Sequence, residues 1–109
     1  MNKTLLKSDP ITTISYEGLT TELNKLVGQN VIINVVNGFS GINFLNDFSF
    51  CECKGKNTGS TLSFMSEETE ASYSIHKNDI LVCQKDDILG QLFIQLINGQ
   101  VLHIYTEEI

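Results

Sequence analysis

The chain has 109 residues, enough for one domain that buries roughly two-thirds of its unfolded surface without disulfide staples. With 41% hydrophobic and 18% charged residues it lacks the composition of a disordered chain. Its net charge is −6, all seven basic residues are lysines and arginine is absent, which disfavours nucleic acid as a partner and sets the chain against anionic membranes.

Residues 1–14 read as an N-terminal arm that carries the single proline, Pro10, and ends in a short strand, ITTIS. The remainder, 15–109, reads as one domain. No apolar run approaches the ~18 residues of a membrane span, and the start lacks the apolar core and cleavage site of a secretory signal, so the expected location is the cytoplasm.

The stretch SYEGLTTELNKLVGQN places Leu19, Leu23, Leu26 and Val27 at i, i+4, i+7 and i+8, one face of a helix. Ser15 or Thr20 can cap its start, and Gly28 falls where a left-handed residue ends a helix. From Asn30 the pattern turns to β. Asn37-Gly38 separates two apolar runs, a signature of a two-residue hairpin turn. That turn pairs Ile33 with Ile42 and Val31 with Phe44. It puts Val31, Ile33, Val35, Ile42 and Phe44 on one face, the expected core face.

Four further strands are expected in FSFCECK, TLSFMS, ASYSIH and ILVCQK, divided by turns. A second hairpin is centred on Asn98-Gly99. A two-residue turn there places Leu92, Ile94, Leu96, Val101, His103 and Tyr105 on one face, with His103 opposite Ile94. The expected fold is mainly β, of α+β class: an N-terminal helix, then six or seven antiparallel strands forming a small closed barrel or rolled sheet.

Candidate chemistry is sparse. Cys51 and Cys53 sit at i and i+2 of a strand, about 6.5–7 Å apart along it, at or beyond the edge of disulfide reach. With Cys83, His76 and His103 they are weak candidates for a metal set. The paired spacings of zinc sites are missing, so buried thiols are expected, with no metal and no cofactor. The loop GKNTGST departs from the phosphate-loop pattern, since its lysine precedes the second glycine. His76 and His103 are the general-base candidates near neutral pH, and His103 lies on an apolar face. The acid pairs Glu67-Glu68, Asp86-Asp87 and Glu107-Glu108 fall in expected turns or at the C-terminus, where solvated charge belongs. No sequence signal brings two carboxylates into one cleft, so enzymatic activity is not expected.

Residues 26–47, LVGQNVIINVVNGFSGINFLND, resemble the first motif of the Sm-like proteins. Gly28, Val31, Ile33, Val35, Asn37-Gly38, Gly41 and Asp47 fill its positions. The resemblance implies an SH3-like barrel that assembles into rings. The turn between the glycines is about two residues shorter than in that family. The Asn that follows the motif's Asp and lines the RNA pocket is absent, with DFSF in its place, and the Arg-Gly of the second motif has no counterpart. RNA binding is therefore not implied.

Two functional expectations follow. The first is a non-enzymatic acidic interaction module that binds a protein with a basic surface through Glu67, Glu68, Glu70, Asp86 and Asp87, and self-associates through exposed apolar strands. Small inhibitors of phages and mobile elements, and immunity or anti-defence proteins, share this profile. The alternative is an Sm-like oligomeric ring that holds a small ligand or nucleic acid at its subunit junctions, through Phe39, Phe48, Phe50, Lys54 and Lys56.

Overall fold

The computed structural model describes residues 11–36, 41–55, 59–68 and 72–106. Among them are nine strands and one α-helix. The first strand, β1 (Ile11–Ile14), precedes helix α1 (Tyr16–Asn24), so the fold does not begin with the helix. It continues with β2 (Val31–Val36), β3 (Gly41–Leu45), β4 (Phe48–Gly55), β5 (Gly59–Ser66) and β6 (Ser72–His76). A 3₁₀ turn (Lys77–Asp79) then leads to β7 (Ile80–Asp86), β8 (Leu92–Leu96) and β9 (Val101–Thr106).

The strands form two antiparallel sheets, one of six strands in the order β1-β7-β8-β9-β2-β3 and one of three in the order β4-β5-β6. Among the described residues no ladder joins the two, so the expected closed barrel is not formed. The arm's final residues are an edge strand of the larger sheet, with Ile11 opposite Asp86 and Ile14 opposite Cys83.

Ser15 caps α1, its hydroxyl accepting from the Gly18 amide at 3.0 Å. Leu19 and Leu23 are fully buried and Leu26 packs against the core, but Val27 is 48% exposed because the helix stops at Asn24 and the chain turns. Gly28 does adopt a left-handed φ, +88°, and its amide donates to Phe48 O at 2.8 Å. The core lies between the facing sheets and under the helix. Val31, Ile33, Val35, Leu45, Leu92, Ile94, Leu102 and Ile104 of the large sheet meet Phe48, Leu62, Phe64 and Ile75 of the small one.

Both hairpins differ from the expected register by one residue. In the first, Ile33 faces Asn43 and Val31 faces Leu45. In the second, Leu92 faces Ile104 and Ile94 faces Leu102. There the connection has three residues, not two. The Leu96 amide donates to Gln100 O at 2.8 Å, and Gly99 takes φ +95°, the left-handed position of a bulged three-residue turn. The tip of the first hairpin, residues 37–40, lies outside the described residues. A one-residue slip turns a strand over. Leu45, Leu102 and Ile104 therefore occupy the core, while Ile42, Phe44, His103 and Tyr105 share the opposite face of the large sheet.

Among the described residues no helix is long and apolar enough to cross a membrane.

Candidate interaction surface

The expected acidic site does not assemble as a unit. Glu67 and Glu68 are exposed in the bend after β5, beside the β3–β4 corner, where the Glu67 amide donates to Asp47 O at 3.1 Å. Asp47 itself holds a positive φ of 53° at this corner. Asp86 and Asp87 belong to the β7–β8 turn, and in sheet order three strands separate β7 from β3. Asp86 is not a solvated acid: it is 6% exposed, and its carboxylate accepts from the Ile88 amide at 2.8 Å and the Leu89 amide at 3.1 Å. It closes its own turn. Asp87 is exposed and accepts a hydrogen bond from the Thr12 hydroxyl, tying β1 to the turn. Glu70, Phe39 and Lys56 lie outside the described residues.

The alternative ligand set is divided in a similar way. Phe48 has no exposed surface; its ring stacks with Phe50 and Phe64 at centroid distances of 6.2 Å. Side chains alternate on β4, and this one falls on the face that meets the core. Phe50 is half-buried beside it, and Lys54 is exposed.

Cys51 and Cys53 are exposed on the outer face of the small sheet, against the expectation of buried thiols, whereas Cys83 is buried in the large sheet. Partial desolvation, then a hydrogen bond with Cys53, raises the Cys51 pKa above its ordinary value, which disfavours the thiolate needed for nucleophilic or redox chemistry. Burial raises the Cys83 thiol likewise. His76 is on the same outer face, its Nδ1 3.2 Å from Thr61 Oγ1. Among the described residues no group of three or more His, Cys, Asp or Glu side chains could hold a metal ion.

A cleft of about 620 Å³ opens between the end of α1 and the β7–β8 turn, lined by Glu22, Lys25, Lys85, Gln91 and Tyr105 among others. The Glu22 carboxylate bridges Lys25 and Lys85, 3.2 Å from each ammonium. Burial opposes ionisation of Glu22, but its two lysine partners prevail and hold it below the usual carboxylate range.

The surface that stands out is the outer face of the six-stranded sheet. Register places its side chains in rows across the strands. Gln84, Phe93, His103, Asn34 and Ile42 form one row; Tyr105, Ile32 and Phe44 form the next; Gln95, Val101 and Val36 form a third. The imidazole of His103 stacks on Phe93, with centroids 4.6 Å apart and planes within 10°, and lies 4.6 Å from the Tyr105 ring. Its Nε2 is 2.8 Å from Gln91 Oε1. At the β3 edge Ile42 is 57% exposed and Phe44 61%. None of these row side chains carries a carboxylate or an ammonium; the Asp86 carboxylate, on the same face at the end of β7, is taken up by its own turn.

The sequence pattern alone puts Ile42 and Phe44 in the core and joins His103 and Tyr105 to Leu92 and Ile94; the observed register corrects both. The usable signal is the apolar character of both faces of β8 and β9.

Burial pushes the His103 pKa below its ordinary 6.5, and the Asp86 carboxylate works weakly the other way. As pH drops through about 6.5 the unfolded chain takes up a proton that the folded chain still refuses, so stability falls. The denaturation midpoint is expected to decline as pH falls below about 6.5, and that of His103→Gln to decline less. Identical profiles for the two proteins would remove His103 as the cause.

A scan against protein-family models finds no match, and searches of curated proteins and of solved structures find none either.

Proposed function

We propose that this protein is a non-enzymatic interaction module that docks a protein partner on the aromatic and apolar outer face of its six-stranded sheet. The observation that carries the reading is the pair Ile42 and Phe44, both more than half exposed on an edge strand and continuous with the Phe93–His103–Tyr105 stack. An apolar patch with aromatic residues and depleted charge is what the centre of a protein interface looks like. Among the described residues, the exposed acidic charge of Glu67, Glu68 and Asp87 lies outside the three rows. It steers approach toward a partner whose surface is basic around an apolar centre. Of the acids expected to make contact, Glu67, Glu68 and Asp87 remain solvent-facing, while Asp86 is committed to its turn.

The test is photocrosslinking in the native cell, with benzoylphenylalanine in place of Phe44 or, as a control on the other sheet, Ser74. Phe44 is expected to give one or a few discrete adducts and Ser74 none. Equal labelling from both sites, or no adduct from Phe44, overturns the assignment.

A further inference from the structure

The face just described ends at β3, whose far edge has no strand beside it among the described residues. Edge strands normally carry protection against pairing: a lysine, a proline, an inward charge or a bulge. Gly41–Leu45 reads GINFL and has none of these, and its pairing with β2 runs without a register shift.

We infer that β3 pairs with β3 of a second copy of this chain, antiparallel about a two-fold axis at Asn43. This rests on the reading of the outer face as an interaction surface and names the partner at its edge. The strand is self-complementary in that register. Asn43 meets its own counterpart, and Ile42 of each copy lies opposite Phe44 of the other, on the outer face where both are exposed. An aromatic against a branched side chain is a favourable cross-strand pair. The two contacts are equivalent by symmetry, as an isologous interface requires.

Charge selects the same occupant. Each copy carries −6, so two copies meet at low cost only where carboxylates are absent, and this edge is such a place. A basic extended segment would find no carboxylate here to pair with. The Phe93–His103–Tyr105 stack lies inward of β3, beyond β2, so the dimer leaves both stacks open for another partner. A five-residue edge with two apolar pairs is a small interface, and a roughly micromolar dissociation constant is expected.

Light scattering of the purified 109-residue chain across about 1–200 μM, at low and high salt, tests the inference. The mass is expected to double from 12.2 kDa with rising concentration, and to do so more readily at high salt, which screens repulsion between like-charged copies. Ile42→Lys and Phe44→Glu are each expected to be monomeric, with melting temperatures close to that of the unmodified chain because both sites are on the surface. Mixed together they are expected to form a one-to-one dimer, since the register sets an ammonium against a carboxylate at one pair and keeps Ile opposite Phe at the other. A monomer at every concentration overturns the inference. So does a dimer untouched by the substitutions, which would lie on another surface, or one that weakens with salt. If Phe44 crosslinks a different protein while the purified chain stays monomeric, the second copy is wrong and the interaction module stands. If no adduct forms either, both fail.

Discussion

Phe48→Ala is expected to lower the unfolding free energy by about 3–5 kcal/mol, and Phe44→Ala to change it by less than about 0.5 kcal/mol. The two phenylalanines are four residues apart and flank the β3–β4 corner. Phe48 has no exposed surface and packs between two other rings, so truncation removes its transfer free energy and leaves a cavity walled by Phe50 and Phe64. Phe44 is 61% exposed on the outer face. Against a total stability of roughly 5–15 kcal/mol for a domain of this kind, the first loss threatens folding at ordinary temperature. Urea midpoints, with the slope checked for constancy, measure both. The comparison also tests the β3 register. With a two-residue turn at Asn37-Gly38, Phe44 would sit inside, opposite Val31. A large loss at Phe44 would show that register to be the right one.

Asp86→Ala is expected to cost about 1–3 kcal/mol, because it leaves the Ile88 and Leu89 amides without their acceptor at a site only 6% exposed. Asp86→Asn keeps a side-chain oxygen in place and is expected to recover most of that loss. Charge reversal at exposed Glu67 and Glu68 is expected to leave stability nearly unchanged and to slow association with a basic partner at low salt. The contrast separates an acid that builds a turn from acids that face solvent. If Asp86→Ala left the urea midpoint unchanged while weakening binding to a crosslinked partner, Asp86 would return to the docking set.

Several elements of the fold are legible in the sequence. Ser15 has the residue type and position of a helix cap and is one. Leu19 and Leu23 recur at helical spacing and are fully buried. The segments FSFCECK, TLSFMS and ILVCQK each correspond to a strand, as do the described residues Ser72–His76 of ASYSIH. These features rest on short-range physics: a side-chain oxygen reaching an amide three residues on, apolar side chains recurring every three or four residues, and branched and aromatic residues bounded by turns.

The outer face of the large sheet is not legible in this way, because each hairpin register differs by one residue from the expected one. Asn-Gly suits a tight two-residue turn, and the same Gly in a left-handed conformation also serves a bulged three-residue turn. At Asn98-Gly99 the chain uses the second, with the Asn98 side chain accepting from the Gln100 amide at 2.9 Å. Phe48 escapes sequence reasoning differently. Its neighbours Phe50 and Phe64 lie on strands whose pairing no local pattern announces, so an aromatic near an exposed loop looks available when it is enclosed.

Composition and local pattern suffice for the class of the protein: acidic and mainly β, with one short helix and a core rich in Leu, Ile and Phe. They also place the second hairpin's turn around Asn98-Gly99. Which side of each strand faces in, and hence what this protein shows to a partner, is settled by packing between the sheets. Strand side chains alternate with a period of two, so a single residue of register exchanges core and surface. Where both faces are apolar, local energetics barely separate the two registers. The choice falls to the one that encloses Leu45, Leu102 and Ile104 between the sheets, leaving Ile42, Phe44, His103 and Tyr105 together outside.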